Sequence, residues 1–165
     1  MFEAEVKQLE LSVFELQFAF EGLAHENVWK RAAPHLLSIG ELAGHCAYWQ
    51  AVRLAGDGDD PGQCRIKSPL VDRRFRYYPA DAAEPLSPQL LAMTAADVHT
   101  ELLRVHGEAM AALRQRAPYP EDPIPGCPAG FTYGAYLAYA GFHLAYHIGQ
   151  MYTVRHLLGD ATPDN

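Results

Sequence analysis

FTYGAYLAYAGFHLAYHIGQMYTVRHLLG, residues 131–159, is the stretch that decides the fold. Tyr136, Tyr139, Ala140, His143, His147, Gln150, Val154 and Leu157 recur at the spacing of one helical face, from a start near Phe131 or Thr132 to a stop at Gly159. Two imidazoles sit on that face four residues apart, and a helix places such side chains one turn, roughly 6 Å, from each other. The same periodicity puts both in the centre of the stripe expected to be buried. A buried imidazole has to satisfy both ring nitrogens, and a metal ion at one with a hydrogen bond at the other does so. Two histidines at this spacing also arise as ordinary core or surface residues, so the pair alone does not establish a site.

Outward from this run, the rest of the chain also reads as helices. Phe2, Val6, Leu9, Val13, Leu16, Phe20 and Leu23 keep one apolar stripe over a first helix. Leu11, Phe14 and Phe18 lie off it, which fits either a wide core stripe or a face for a second subunit. Ser38 and Glu41 have the spacing of a capping box, so a second helix is predicted from about Ile39 to about Ala55, ended by GDGDDPG. Residues 56–86 show no sustained period. They carry a basic-aromatic patch, Arg73, Arg74, Phe75, Arg76, Tyr77 and Tyr78, and so long a connection is usually functional or mobile. Ser87 and Pro88 read as the cap and first residue of a third helix, predicted to run unbroken to about Arg116. APYPEDPIPGCPAG, residues 117–130, holds five prolines and is expected to be irregular. The expected fold is all-α: a four-helix bundle with a long connection between helices two and three, in one domain spanning residues 1–165.

Composition narrows the function classes. A chain of 165 residues with 49% hydrophobic and 20% charged residues suits one water-soluble domain. With 13 basic against 20 acidic residues the net charge is -7, which argues against nucleic acid as a partner. No apolar run is long enough to cross a membrane, and MFEAEVKQLE does not resemble a signal peptide. Three cysteines without a CxxC argue against a disulfide framework, so a cytoplasmic protein is expected.

Eight histidines raise the question of which converge. His45 lies on the expected buried face of helix two among Leu42, Trp49 and Val52, and adds a third inward imidazole to His143 and His147. Three neutral nitrogen ligands leave open coordination positions, the pattern of a reactive site, and suit zinc, nickel, copper or iron. His99 and His106 fall at the boundary of helix three's stripe; His25, His35 and His156 read as structural. HLAYH lacks the glutamate of the HExxH protease motif, and neither a GxSxG elbow nor a phosphate loop is present. Glu41, one turn before His45, is either a capping residue or an inner carboxylate, and the cap is the simpler role.

SIGELAGHCAYW, residues 38–49, followed by FHLAYHIGQMYTVRHLLG, residues 142–159, resembles the DinB-like superfamily, which includes bacterial damage-inducible proteins and thiol transferases. Trp29 and Pro34 fit the usual lead-in to the first motif. The resemblance implies His45, His143 and His147 as ligands of one divalent transition metal, with zinc and nickel the leading candidates, and a homodimer. It implies a transferase that activates a low-molecular-weight thiol toward a small-molecule electrophile. In that expectation Tyr136, Tyr139 or Gln150 orients the electrophile, and Arg73 and Arg76 bind the thiol's carboxylate. A metal-dependent hydrolase and a noncatalytic metal-binding stress protein are the alternatives.

Overall fold

The computed structural model describes residues 2–58, 60–76, 85–128 and 130–163. Among these the regular elements are helical: α1 (Glu3–Phe20), α2 (Ile39–Leu54), α3 (Pro88–Leu91), α4 (Ala95–Arg116) and α5 (Tyr133–Leu158), with short 3-10 turns at His25–Asn27 and Arg73–Phe75. One isolated β-bridge, Pro123 to Thr132, closes the proline-rich loop. α1 packs along α5, and α2 packs against both α4 and α5.

The chain ends its helices by local chemistry. Ser38 accepts from the Glu41 amide while the Glu41 carboxylate accepts from Ser38, so the expected capping box opens α2. Gly159 closes α5 in the left-handed conformation that glycine adopts without a side-chain penalty. The predicted third helix does not run through. Ser87 and Pro88 start it as expected, but only one turn forms. Thr94 and Asp97 then make a second capping box that starts α4 as a separate helix. A local T-x-x-D box outcompetes the longer apolar period here, because it satisfies orphan backbone groups at the break.

α2 is the central element. Between Ile39 and Leu54 every residue except Trp49 is buried, so this helix meets neighbours on all sides. The segment after it is not a solvated loop: Cys64, Ile66, Leu70, Val71 and Phe75 belong to the core. Tyr77 and Tyr78 of the basic-aromatic patch lie outside the described residues. On α1, Leu9, Leu16 and Phe20 enter the core. Leu11 and Phe14 stay 67% and 58% exposed, so they are not part of a wide core stripe.

On α5 the buried stripe is rotated from the expected one. Its centre is Leu137, Leu144, Ile148 and Met151, whereas Tyr139 and Leu157 are exposed and His143 lies at the margin. Apolar residues occur on both sides of this helix, so periodicity alone did not fix its rotation. At the C-terminal end the buried Arg155 guanidinium donates to the Phe18, Ala19, Glu21 and Ala161 carbonyls. It thereby satisfies acceptors that α1 leaves at its end. Among the described residues no helix is long and apolar enough to cross a membrane.

Candidate metal centre

Between α2 and α5 the rings of His45, His143 and His147 meet. His45 Nε2 is 3.2 Å from His143 Nε2, and His147 Nε2 is 3.1 Å from the same atom. Among the described residues this is the group of histidine, cysteine and acidic side chains placed to hold a metal ion.

The outer nitrogens fix what the inner ones offer. His45 Nδ1 lies 2.7 Å from the Phe75 carbonyl oxygen, which only accepts, so Nδ1 carries the hydrogen and Nε2 is left with a lone pair. His147 Nδ1 donates in the same way to Gln150 Oε1 at 2.6 Å. His143 Nε2 then faces two lone pairs and carries one hydrogen at most, so one of its two close approaches has no hydrogen of its own. A cation at the centre makes up that shortfall. Metal–imidazole bonds of 2.0–2.1 Å put neighbouring nitrogens roughly 2.9 Å apart at right angles and roughly 3.3 Å apart in a tetrahedron; the two spacings to His143 fall between, and all three nitrogens lie within 4.8 Å of one another. The donor set fits a divalent transition metal.

Burial keeps all three rings neutral. Desolvation, with the neighbouring imidazoles adding to it, holds His143 down to about 3. Desolvation lowers His147 to about 4 against the opposing bond from Gln150, and lowers His45 against the opposing Phe75 carbonyl. Protons therefore do not compete for the Nε2 lone pairs near neutral pH.

Beside the triad opens a cavity of about 290 Å³, lined by His45, Trp49, Arg53, Arg76, Phe131, Tyr136, Tyr139 and His143. Among the residues expected to orient a substrate, Tyr136, Tyr139 and Arg76 lie on this wall. Tyr136 donates its hydroxyl to the Trp49 carbonyl at 2.8 Å, and burial pushes its pKa upward, so it presents a ring rather than a proton. The Tyr139 ring packs on His143, centroids 5.3 Å apart. Gln150 holds His147 instead of lining the cavity, and Arg73 turns to Asp60 at 3.0 Å.

Glu41 is not at the triad: its carboxylate accepts from Ser38 and from Arg31 Nε at 2.9 Å. His106 pairs with Gln50 and His99 stacks on Phe20. His25 and His35 are exposed, and His156 pairs with Thr162. Cys46 is buried away from the site, its thiol pushed up to about 12 by desolvation.

Sequence reasoning missed three contributors. Phe75 acts through its backbone carbonyl, which no side-chain pattern announces. Arg53 and Phe131 reach the cavity from positions the motifs do not cover, although Arg53 stands at i+8 from His45 and Trp49 at i+4, a ladder visible in the spacing. A sequence model of the DinB superfamily matches residues 8–151 of the chain. No curated protein and no solved structure matches it significantly.

Proposed function

The chain belongs to the DinB superfamily, and on that premise we propose that His45, His143 and His147 hold one divalent transition metal, zinc or nickel, in a transferase that activates a low-molecular-weight thiol. One observation carries this: two Nδ1 hydrogens are committed to Phe75 and Gln150, and the Nε2 atoms they leave bare converge with that of His143. A bound divalent cation favours thiolate over thiol at neutral pH, which supplies the nucleophile. The chain's own residues do the rest. Phe75 and Gln150 hold two ligand rings in register, Trp49 and Tyr136 shape an apolar wall that limits water, and Tyr139 covers His143 at the cavity mouth. A small-molecule electrophile fits a space of this size.

Thiol transfer is favoured over hydrolysis because hydrolysis calls for a general acid or base beside the metal-bound water. The one carboxylate considered for it, Glu41, is engaged by Ser38 and Arg31. We read the scaffold as a four-helix bundle of α1, α2, α4 and α5, with the long connection between α2 and the third helix region, in a cytoplasmic homodimer. Exposed Leu11 and Phe14 on α1 and Phe142 and Tyr146 on the neighbouring α5 supply an apolar surface for the second copy.

The test is metal content by plasma mass spectrometry on untagged protein purified without chelator, beside His143→Ala, followed by a screen of thiols against electrophiles. About one ion per chain, lost in the variant, and turnover of a thiol support the proposal. Metal without turnover leaves a metal-binding stress protein, and no metal after incubation with zinc, nickel and manganese refutes the site.

A further inference from the structure

The cavity has two chemically different ends. At one stand the three Nε2 atoms. At the other stands Arg53, eight residues after His45 on α2, a backbone rise of about 12 Å, with Trp49 bridging the two side chains. Trp49 lies halfway, its ring centroid 6.4 Å from that of His45. The Arg53 guanidinium carbon is 4.7 Å from the Trp49 centroid and 5.6 Å from that of Phe131, so two aromatic faces fix its position. Arg53 Nη1 donates to Cys127 Sγ at 2.6 Å, which ties it to the proline-rich loop. Arg76 adds a second guanidinium to the same wall. Among the described residues lining the cavity two are cationic side chains and none is acidic, in a chain whose net charge is -7.

We propose that this cavity takes an elongated anionic ligand, with one end at the triad and a carboxylate or comparable oxyanion at Arg53. The walls between, Trp49, Phe131, Tyr136 and Tyr139, call for an apolar or aromatic middle. A weakly hydrated, forked guanidinium held against aromatic rings is the side chain best suited to bind a planar carboxylate in a partly buried site. Arg53 is then the residue that sets specificity by charge and by reach. This inference rests on the metal proposal, and it adds the class of ligand.

The experiment uses cobalt-loaded full-length protein. Three thiols are titrated and the change in cobalt absorption is followed: 6-mercaptohexanoate, 6-mercaptohexanol and mercaptoacetate. The long acid is expected to bind about tenfold more tightly than the long alcohol, the yield of one charge-assisted contact. The short acid ends before Arg53, so Arg53→Gln is expected to leave its binding unchanged. Arg53→Gln should bring the long acid and alcohol level, and Arg53→Lys should keep part of the preference. Equal binding of the long acid and alcohol by the parent overturns this inference whether or not a variant folds. A preference that survives in Arg53→Gln protein with full cobalt uptake overturns the assignment to Arg53. A parent protein that takes up no cobalt overturns the metal proposal and this inference with it.

Discussion

Replacing Gln150 with leucine removes the acceptor that sets the tautomer of His147. In the parent, His147 Nδ1 donates to Gln150 Oε1 at 2.6 Å, three residues on along α5, and Nε2 is left bare toward the triad. Without that acceptor the ring is free to carry its hydrogen on Nε2, and it loses the bond that holds its plane. Losing an outer hydrogen bond of this kind lowers metal affinity about 10–100-fold, or about 1.4–2.7 kcal/mol at 1.36 kcal/mol per decade. Gln150 is half-buried and leucine has a similar volume, so the metal-free fold should change by less than about 1 kcal/mol. The assay is competition for zinc against a chromophoric chelator at neutral pH, with thermal melts of the metal-free proteins alongside. Gln150→Glu should bind at least as tightly as the parent, because a carboxylate accepts from Nδ1 more strongly and makes Nε2 a better donor. Unchanged zinc affinity in Gln150→Leu, or weaker binding by Gln150→Glu than by Gln150→Leu, refutes the reasoning.

Three other perturbations test separate links. A Cβ at Gly44 would lie 2.7 Å from the buried Phe75 ring, so Gly44→Ala should cost about 1–3 kcal/mol of overpacking, a melting shift of roughly 3–10 °C, and should weaken metal binding through the Phe75 carbonyl. Burial alone would raise the Glu41 carboxyl, but hydrogen bonds from Arg31 and Ser38 outweigh it and hold the group below its ordinary 4.5. A depressed carboxyl stabilises the fold above its unfolded pKa and loses that stabilisation as pH falls through the folded value. Glu41→Gln should therefore be less stable by about 1–3 kcal/mol at neutral pH, with the gap to the parent closing below about pH 4.5; urea melts that show a constant gap contradict this. Phe142→Glu, on a residue 60% exposed, should turn a dimer into monomers in sedimentation while leaving metal content intact.

The helices were legible where one signal acted alone. Ser38 and Glu41 announce the start of α2, and Gly159 the end of α5, because capping chemistry is local and leaves its residues in sequence. The break between α3 and α4 was hidden by a competing signal: the apolar period runs on through Val98 and Leu102, and the box of Thr94 and Asp97 is visible only when sought. The three histidines of the triad could be named because imidazoles on predicted inner faces are few. The rotation of α5 could not be fixed, since tyrosine and leucine occur on both of its sides, and so the marginal place of His143 emerged only in three dimensions. That place matters chemically. An imidazole at the edge of the core leaves the triad open to the cavity, where a triad at the middle of the stripe would be sealed.

What completes the site comes from outside the helices. Two glycines four apart on α2, Gly40 and Gly44, allow two aromatic rings to approach the helix closely: a Cβ at Gly40 would clash with the Trp29 ring, and one at Gly44 with Phe75. Trp29 comes from the segment before α2, and its Nε1 donates to the Met93 carbonyl at the break between α3 and α4. Phe75 comes from the long connection after α2 and delivers the carbonyl that orients His45. The small residues of α2 are therefore not neutral filler. They let the flanking segments press against the helix that carries His45, and the length of the connection is what allows it to return from the end of α2 to the level of Gly44. Shortening that connection should release the His45 ring before it unfolds the helices, because α2 keeps its packing on α4 and α5, while the Nδ1 bond has its acceptor in the connection itself.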